Sequence, residues 1–513
     1  MMMSSLCKLC ILCVSVVVGA SLSLTTEAQS AQSLHRELLT ASERRGKEIF
    51  LRGTSPSGNT ITGWMGELSV PASNLNCSGC HGMRGEGKTE SGITAGNLTW
   101  PNLTKPYGHT HPTGRKHGPF NESSFIRAVV NGVDSNGNEL LAAMPRYKIS
   151  AADMADLIAY LKRIDSDLDP GLTDSSVRIG LVLPTEGALA DTGAAMKDVL
   201  SAYFDDLNNR GGTYNRKIHL RIGNVAQTLA RDEQVFAFVG GLSAGADSQL
   251  ATLARNEEIP FIGPSTLLPH VESPVNRYLF YLLPGIEEQA ISLVNFAATQ
   301  PELQNASIAI VHNGNPLGIA AASAAQRQAK KIGLKQIDTT GINNLKNSGA
   351  KAVFFFGNGK EQSDLLREAE ADNWRPYFFF LGVLTGKELP ISALNDKLFV
   401  AFPTLPADIT SEGMSEFRAL HEKYKFAPRH TASQLAAFAA AKVFVAALTR
   451  AGKDLSRETL ITALESLYDY DTGITPRITF GPNKRVGAAG AHVIRIDLAE
   501  KQFPTASGWI KAY

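Results

Sequence analysis

Beyond residue 30 this chain has cysteine at two positions only, and they form one stretch, Cys77-Ser78-Gly79-Cys80-His81. That arrangement excludes more than it permits. A structural zinc site needs a second pair of ligands, and no other cysteine follows to supply one. A thioredoxin-like dithiol sits between a strand and a helix, whereas this pair follows the loop Pro71-Ala72-Ser73-Asn74-Leu75-Asn76. The remaining reading is C-x-x-C-H, the attachment sequence of c-type haem. In it the two thiols add across the porphyrin vinyl groups, and the imidazole of His81 reaches the iron.

The first thirty residues differ from the rest. Lys8 precedes an apolar run from Leu9 to Leu24, and small and polar residues then reach Ala28, Gln29 and Ser30. This is the pattern of a secretory signal peptide over 1–30, cleaved near Ala28 or Ser30. The run is shorter than the ~20 residues a spanning helix needs, and no other apolar run is expected to be long and uninterrupted enough. Cys7, Cys10 and Cys13 lie in this leader, and Leu12 is the wrong neighbour for a lipoprotein cysteine. Their removal leaves Cys77 and Cys80, so no structural disulfide is expected. Export also suits haem attachment, which in bacteria takes place outside the cytoplasmic membrane, and a Gram-negative periplasm is the expected location.

A length of 513 residues suggests about two to four domains. The hydrophobic share of 43% and charged share of 19% are those of a soluble globular protein. With a formal net charge of +1, nothing global recruits nucleic acid or an anionic membrane.

The first folded unit is expected over 35–165. Thr40 or Ser42 caps a helix through Glu43, Gly46, Ile49, Phe50 and Leu51 that ends at Gly53. The polar, Gly- and Pro-rich segment from Gly82 to Pro119 is a poor candidate for regular structure. Asn121 caps a helix from Ser124 to Val130 that Gly132 stops, and Ser150 caps a last helix through Met154, Leu157, Ile158, Tyr160 and Leu161. Between them lies Leu140-Leu141-Ala142-Ala143-Met144-Pro145-Arg146-Tyr147.

With these residues in view, the unit resembles class I c-type cytochromes. The resemblance rests on Gly46 and Phe50, Cys77 to His81, Pro101 to Leu103, Met144-Pro145 and Tyr160-Leu161. It implies an all-α domain with one covalent haem c on Cys77 and Cys80, His81 as proximal and Met144 as distal iron ligand. A thioether is a soft donor that favours ferrous iron, so such ligation suits electron transfer. His109, His111 and His117 are competing ligands in the long loop, while Met83 is too close to His81 to reach the opposite face and Met154 reads as core. Phe50 and Tyr160 are expected to pack the first and last helices together. Trp100 and Arg146 are candidate propionate contacts, although an ordinary exposed arginine is the simpler expectation.

Residues 166–176, with Pro170-Gly171, read as a linker. Over 177–513 the pattern changes to short apolar runs alternating with helices. Strands are expected at Val177–Leu183, Ile218–Ile222, Phe236–Val239, Phe261-Ile262, Ser307–His312, Ala352–Phe356 and Tyr377–Leu381. Helices are expected from about Ala194, Ser248, Gln289, Ile319 and Gln362. Such alternation argues two mainly parallel, doubly wound sheets, with ligands beyond the carboxyl ends of the strands.

This second unit resembles type I periplasmic solute-binding proteins of the leucine/isoleucine/valine kind, which serve ABC importers. The match runs over Ile179 to Gly193, Asn208 to Gly212, Gly240 to Gly245, Ile259-Pro260 to Thr266, Ile478-Thr479-Phe480 and Gly487 to Ile496. It implies a two-lobed α/β fold closing on a ligand, with Ser243, Ala244, Ser265 and Thr266 at the places that hold an anion or carbonyl oxygen. Ser265 and Thr266 equally suit a turn before Pro269. Two departures matter. Leu317 stands where amino-acid binders have an aromatic residue, and Leu381 to Gly386 lacks the carboxylate that receives a ligand ammonium. An unpaired ammonium in a closed cleft costs several kcal/mol, so a zwitterionic amino acid is disfavoured. The first lobe is also short, with only Gly223 to Val235 between two strands. Lys360 and His312 border the expected cleft, or are solvated loop residues.

The expectation is a periplasmic electron carrier rather than an enzyme, joined to a domain for a small organic ligand. Its redox partner is a protein, with a quinoprotein alcohol oxidation system one candidate that the second resemblance suggests. The alternative is an ABC-importer binding protein or receptor, with a permease as partner and the haem as tether or redox sensor.

Overall fold

The computed structural model describes residues 39–90, 92–271, 273–337, 345–385, 394–496 and 504–513. The expected leader with Cys7, Cys10 and Cys13 lies outside them. The chain divides into two compact units at Asp167 and Leu168.

Among the described residues, five helices form the frame of the first unit: α1 (Ala41–Arg52), α2 (Cys77–His81), α3 (Trp100–Leu103), α4 (Glu122–Asn131) and α5 (Ala151–Leu161). Local chemistry sets their ends. Thr40 accepts the Glu43 amide while the Glu43 carboxylate accepts the Thr40 amide, a reciprocal cap, and Gly53 closes α1 at φ +64°. Asn121 caps α4 and Ser150 caps α5 in the same way by accepting the amide three residues on.

Helices α1 and α5 cross at Gly46. A Cβ there would fall 2.0 Å from the Asp156 carbonyl oxygen and 2.7 Å from the Tyr160 Cβ, so only glycine allows this approach. Phe50 and Tyr160, both fully buried, meet beside it with ring centroids 5.8 Å apart. Asp156 braces the crossing by accepting from Ser42 Oγ (2.5 Å) and Arg45 Nε (2.7 Å), and the Arg45 bond holds its carboxyl below the usual range.

The unit is not helical throughout. Strands β1 (Thr62–Met65) and β2 (Leu68–Pro71) form a hairpin, and β7 (Arg146–Lys148) adds antiparallel to β1, giving the order β2-β1-β7. The segment from Gly82 to Pro119 also departs from expectation. It holds α3 and two small hairpins, β3 (Thr89–Glu90) with β4 (Ile93–Thr94) and β5 (His109–Thr110) with β6 (Lys116–His117). Two-residue strands leave no alternating apolar pattern for a sequence to display.

Among its described residues the second unit contains two sheets. The first has the order β12-β11-β10-β8-β9, with β8 (Ser176–Val182), β9 (Lys217–Gly223), β10 (Ala237–Val239), β11 (Phe261–Ile262) and β12 (Leu279–Phe280) all parallel. Helices α6 (Ala190–Asn209), α7 (Ala226–Arg231) and α8 (Asp247–Asn256) connect these strands. The short connection from Gly223 to Val235 therefore keeps one helix, α7, of six residues. The segment expected as a linker is partly packed: Leu172 is buried in this lobe's core, and the Arg178 amide bonds to the Gly171 carbonyl.

The second sheet has the order β14-β13-β15-β16-β17-β18-β19: β13 (Ser307–His312), β14 (Lys335–Ile337), β15 (Ala352–Phe356), β16 (Tyr377–Leu381), β17 (Leu398–Phe402), β18 (Gly490–Arg495) and β19 (Thr505–Lys511). Helices α9 (Ile286–Thr299), α10 (Pro316–Lys331) and α11 (Gly359–Ala371) accompany it. Every residue of β15 is buried, as a strand covered on both faces requires, and Phe354 stacks on Phe379 at 4.5 Å. The chain passes between the sheets where the Tyr281 amide bonds to Arg485 O and the Gly487 amide to Tyr281 O.

After β17 the chain forms α12 (Ser411–Tyr424), α13 (Thr431–Ala451) and α14 (Arg457–Glu465). Contrary to the expectation that no further run is long enough, α13 is apolar and long enough to cross a membrane, but 61% of its apolar window is buried. Ala437, Ala440 and Phe444 place it in the first lobe's core. At the start of α14, the buried Arg457 guanidinium donates to the carbonyls of Val235 (2.8 Å), Phe236 and Glu257 (both 2.9 Å).

The Gly46 crossing gives a direct prediction. Gly46→Ala should lower the stability of the first unit by about 1–3 kcal/mol, because one methyl must be forced against backbone. A thermal transition of the full-length protein unchanged for that unit would contradict the account.

Candidate haem site and candidate ligand cleft

The haem-attachment motif forms one helical turn. Asn76 caps it, its Oδ1 accepting from the Gly79 amide (2.8 Å) and the Ser78 hydroxyl (3.1 Å), and that hydroxyl also lies 3.3 Å from Leu51 O at the end of α1. His81, at the last position of α2, is buried. Its Nδ1 lies 2.6 Å from Gly96 O. A carbonyl only accepts, so Nδ1 carries the proton and Nε2 keeps its lone pair. Burial lowers the imidazole pKa and the Gly96 bond partly opposes it, so the ring favours its neutral form, with the Nε2 lone pair open to a metal. Cys77 is half-buried, with burial pushing its thiol up to about 12, and Cys80 is exposed.

Met144 comes from the other side of the sequence. Its turn is closed by the Met144 amide on Leu141 O (3.0 Å), and β7 follows directly. Tyr147 of β7 lies across β1 from Gly63, whose absent side chain leaves room for the ring: a Cβ there would be 3.3 Å from Tyr147 Cε1. The Tyr147 hydroxyl donates to Leu75 O (2.5 Å), one residue before the Asn76 cap. Burial first, then the neighbouring Cys77 and Cys80, push the phenol pKa up. Met144, Cys77, Leu98 and Trp100 are all partly buried against the same core.

These residues fit a c-type haem. They supply two thiols, an imidazole anchored through Nδ1, and a thioether whose turn is tied to the attachment segment. When bound, such a haem supplies one-electron exchange at iron, tuned by its axial ligands.

The other expected contacts fall differently. Trp100 packs edge-on against Phe125 at 6.2 Å, with Lys162 over its ring. Arg146 is half-buried rather than an exposed arginine, and donates to Leu140 O (2.9 Å) and Met144 O. Met154 is core. His109, His111 and His117 gather on the β5–β6 hairpin, with ring centroids 4.6 to 5.9 Å apart. Among the described residues no group of three or more His, Cys, Asp or Glu is set to hold a metal ion. Gly96 and Tyr147 carried no signal in the sequence, and Gly132 signalled only a helix stop, since each acts here through a backbone oxygen, a single hydroxyl or a bare Cα.

In the second unit, Ser243 and Ala244 follow β10, and Ser265 and Thr266 follow β11. The Ser243 amide donates to Ser265 O (3.1 Å) and the Ser265 amide to Gly241 O (2.9 Å), so these two amides extend the sheet. Thr266 Oγ1 accepts the Leu268 amide (3.0 Å), as in the turn reading. Ala244 is exposed and left-handed at φ +49°. Beside them Val182, Phe238, Gly241, Ser243, Leu250 and Pro264 line a small, mainly apolar notch. On the other lobe, Lys360, exposed in the first turn of α11, pairs with Asp364 (2.7 Å), and His312, exposed at the end of β13, accepts the Gly314 amide at Nδ1 (3.0 Å); both are solvated, but neither lies in a loop. Leu317 packs against that lobe's core, and Gly382 to Thr385 contain no acid.

The chain belongs to the periplasmic binding protein family, whose profile matches residues 176–501. Residues 71–165 match the cytochrome c profile, so a cytochrome c domain precedes the binding-protein fold. An amino acid binding protein of Pseudomonas aeruginosa is 23% identical over 215 residues, 38% of this chain and 57% of that protein. Leu/Ile/Val-binding protein homolog 1 of Brucella abortus is 22% identical over 236 residues, 42% and 63%. The chain thus spans less than two thirds of these relatives. Among solved structures, the fatty acid ABC transporter substrate-binding protein of Thermomonospora curvata superposes with TM-score 0.50 at 18% identity, covering 67% of this chain and 95% of that one. A branched chain amino acid ABC transporter of Thermus thermophilus with bound valine gives 0.50 at 19%, covering 66% and 97%. These likenesses establish a two-lobed fold.

The site makes a chemical prediction. With haem attached through both sulfurs, Cys77 and Cys80 would be thioethers, and neither should react with an aromatic disulfide reagent after denaturation. Two reactive thiols per chain would refute the attachment.

Proposed function

We propose that the protein is a periplasmic electron carrier with one covalent haem, held by Cys77 and Cys80 and ligated by His81 and Met144, coupled to a solute-binding unit. One observation carries this reading. The chain anchors an imidazole on Gly96 and ties the Met144 turn to the attachment segment through Tyr147. With two axial ligands provided, no open iron position remains for substrate, and electron transfer to and from a partner protein is the chemistry left. A periplasmic quinoprotein dehydrogenase is the donor we favour. In the second unit the ligand is a small oxygenated or anionic organic molecule rather than a zwitterionic amino acid. The support for this is the lack of an acid at Gly382 to Thr385.

A second reading makes the protein the binding component of an ABC importer, or a receptor, with the cytochrome as tether or redox sensor. It is favoured by the family match over 176–501.

Two experiments separate these. Ferrous wild-type protein should not bind carbon monoxide, whereas Met144→Ala should; immediate binding by the wild type would overturn His/Met ligation. A calorimetric screen of organic acids, alcohols, aldehydes and amino acids against the full chain, oxidised and reduced, tests the ligand. Affinity shared by both redox states, together with capture of a permease, would favour the importer. No ligand in either state would make the second unit a docking scaffold.

A further inference from the structure

Arg146 stands two residues after Met144, and its guanidinium stays with its own loop. Nη2 donates to Leu140 O at 2.9 Å and Nη1 to Met144 O. One planar fork therefore joins the carbonyls on either side of the turn that presents Met144. Some guanidinium groups of this unit meet carboxylates, as Arg45 does Asp156 and Arg115 does Asp134, and others reach backbone carbonyls, as Arg44 does Leu39 O and Arg127 does Asp134 O. Among the described residues no carboxylate pairs with Arg146, so its charge is directed at two carbonyl oxygens, which strengthens both bonds.

The surroundings are shaped to admit it. Gly132 ends α4 at φ +70°, and a Cβ there would fall 1.6 Å from Arg146 Nε and 2.0 Å from its Cζ. The carbonyl of the same glycine accepts the Leu140 amide at 2.8 Å. Thus the end of α4, the start of the Met144 turn and the guanidinium interlock at one point. From there β7 runs along β1, with Arg146 opposite Trp64, to the Tyr147 bond with Leu75.

We propose that Arg146 is the positioning residue for Met144: its fork fixes the turn in the conformation that offers the thioether to iron, and Gly132 is the notch that admits it. The proposal rests on the reading of Met144 as axial ligand. A thioether is a weak donor, and weakest toward ferric iron, so its retention depends on how little freedom the turn has to lose. Lysine does not replace arginine here, since one ammonium on a flexible stem does not reproduce the rigid fork across both carbonyls.

The test uses full-length, haem-loaded protein. The methionine-to-ferric-iron charge-transfer band is followed as pH is raised, with haem content and far-ultraviolet circular dichroism recorded alongside. Loss of a hydrogen-bonded charged clamp should weaken ferric methionine ligation about tenfold. That lowers the pH midpoint of band loss by about one unit in R146A and R146K. G132A should do the same with Arg146 present, because its methyl displaces the guanidinium. Midpoints unchanged in R146K and G132A would overturn the proposal, even if both proteins melt earlier, since a merely structural role lowers stability without moving ligation. Should R146A fail to load haem, R146K and G132A decide. A wild-type protein that holds haem but lacks the band would instead show that the Met144 assignment itself is wrong.

Discussion

The bond from the Tyr147 hydroxyl to the Leu75 carbonyl, 2.5 Å long, joins the two parts of the first unit that must meet. One part is the α2 turn with Cys77, Cys80 and His81; the other is the Met144 turn. Each is set on a scaffold of its own. The α2 turn leans on α1 through Ser78 and on Gly96 through His81. The Met144 turn leans on α4 through Leu140 and Gly132. Without a tie between them, His81 and Met144, the proposed axial ligands, would depend on loops for their separation. The small sheet β2-β1-β7 supplies that tie, and Gly63 leaves the space in which the Tyr147 ring lies.

Much of this frame was legible in the sequence because it is written in side chains with fixed chemical habits. Thr40, one of the two caps expected for α1, and Asn121 and Ser150 cap their helices, and Gly53 and Gly132 stop α1 and α4. Buried runs such as Ala352 to Phe356 read correctly as strands covered on both faces. What the sequence concealed works through the backbone. Gly96 holds His81 by a carbonyl that any residue possesses, and Arg146, expected as an exposed arginine, turns inward onto two more. The hairpins between Gly82 and Pro119 are too short to show a period. In the second unit, Ser243 and Ser265 were expected at the family's ligand positions, and their amides are used in extending the sheet. Residue type alone could not reveal that.

The two units divide the work by the kind of constraint each satisfies. In the first, under the proposed ligation, His81 and Met144 are the neutral and soft donors that iron would demand. The second buries two sheets of large apolar side chains, with Phe354 and Phe379 stacked in one and Phe238 and Phe261 in the other. The Arg457 guanidinium, bonded to three carbonyls within that second unit, and Arg146 in the first use the same device: a planar cation holding backbone oxygens in place. In one case it secures a core, in the other a ligand loop.

The central claim is that His81 and Met144 make this a six-coordinate electron carrier. An optically monitored potentiometric titration of the exported full-length chain tests it most directly. The account predicts one reversible one-electron transition, low-spin on both sides, with the methionine charge-transfer band present whenever the iron is ferric. A high-spin form in either oxidation state, or a chain with no redox transition, would contradict it.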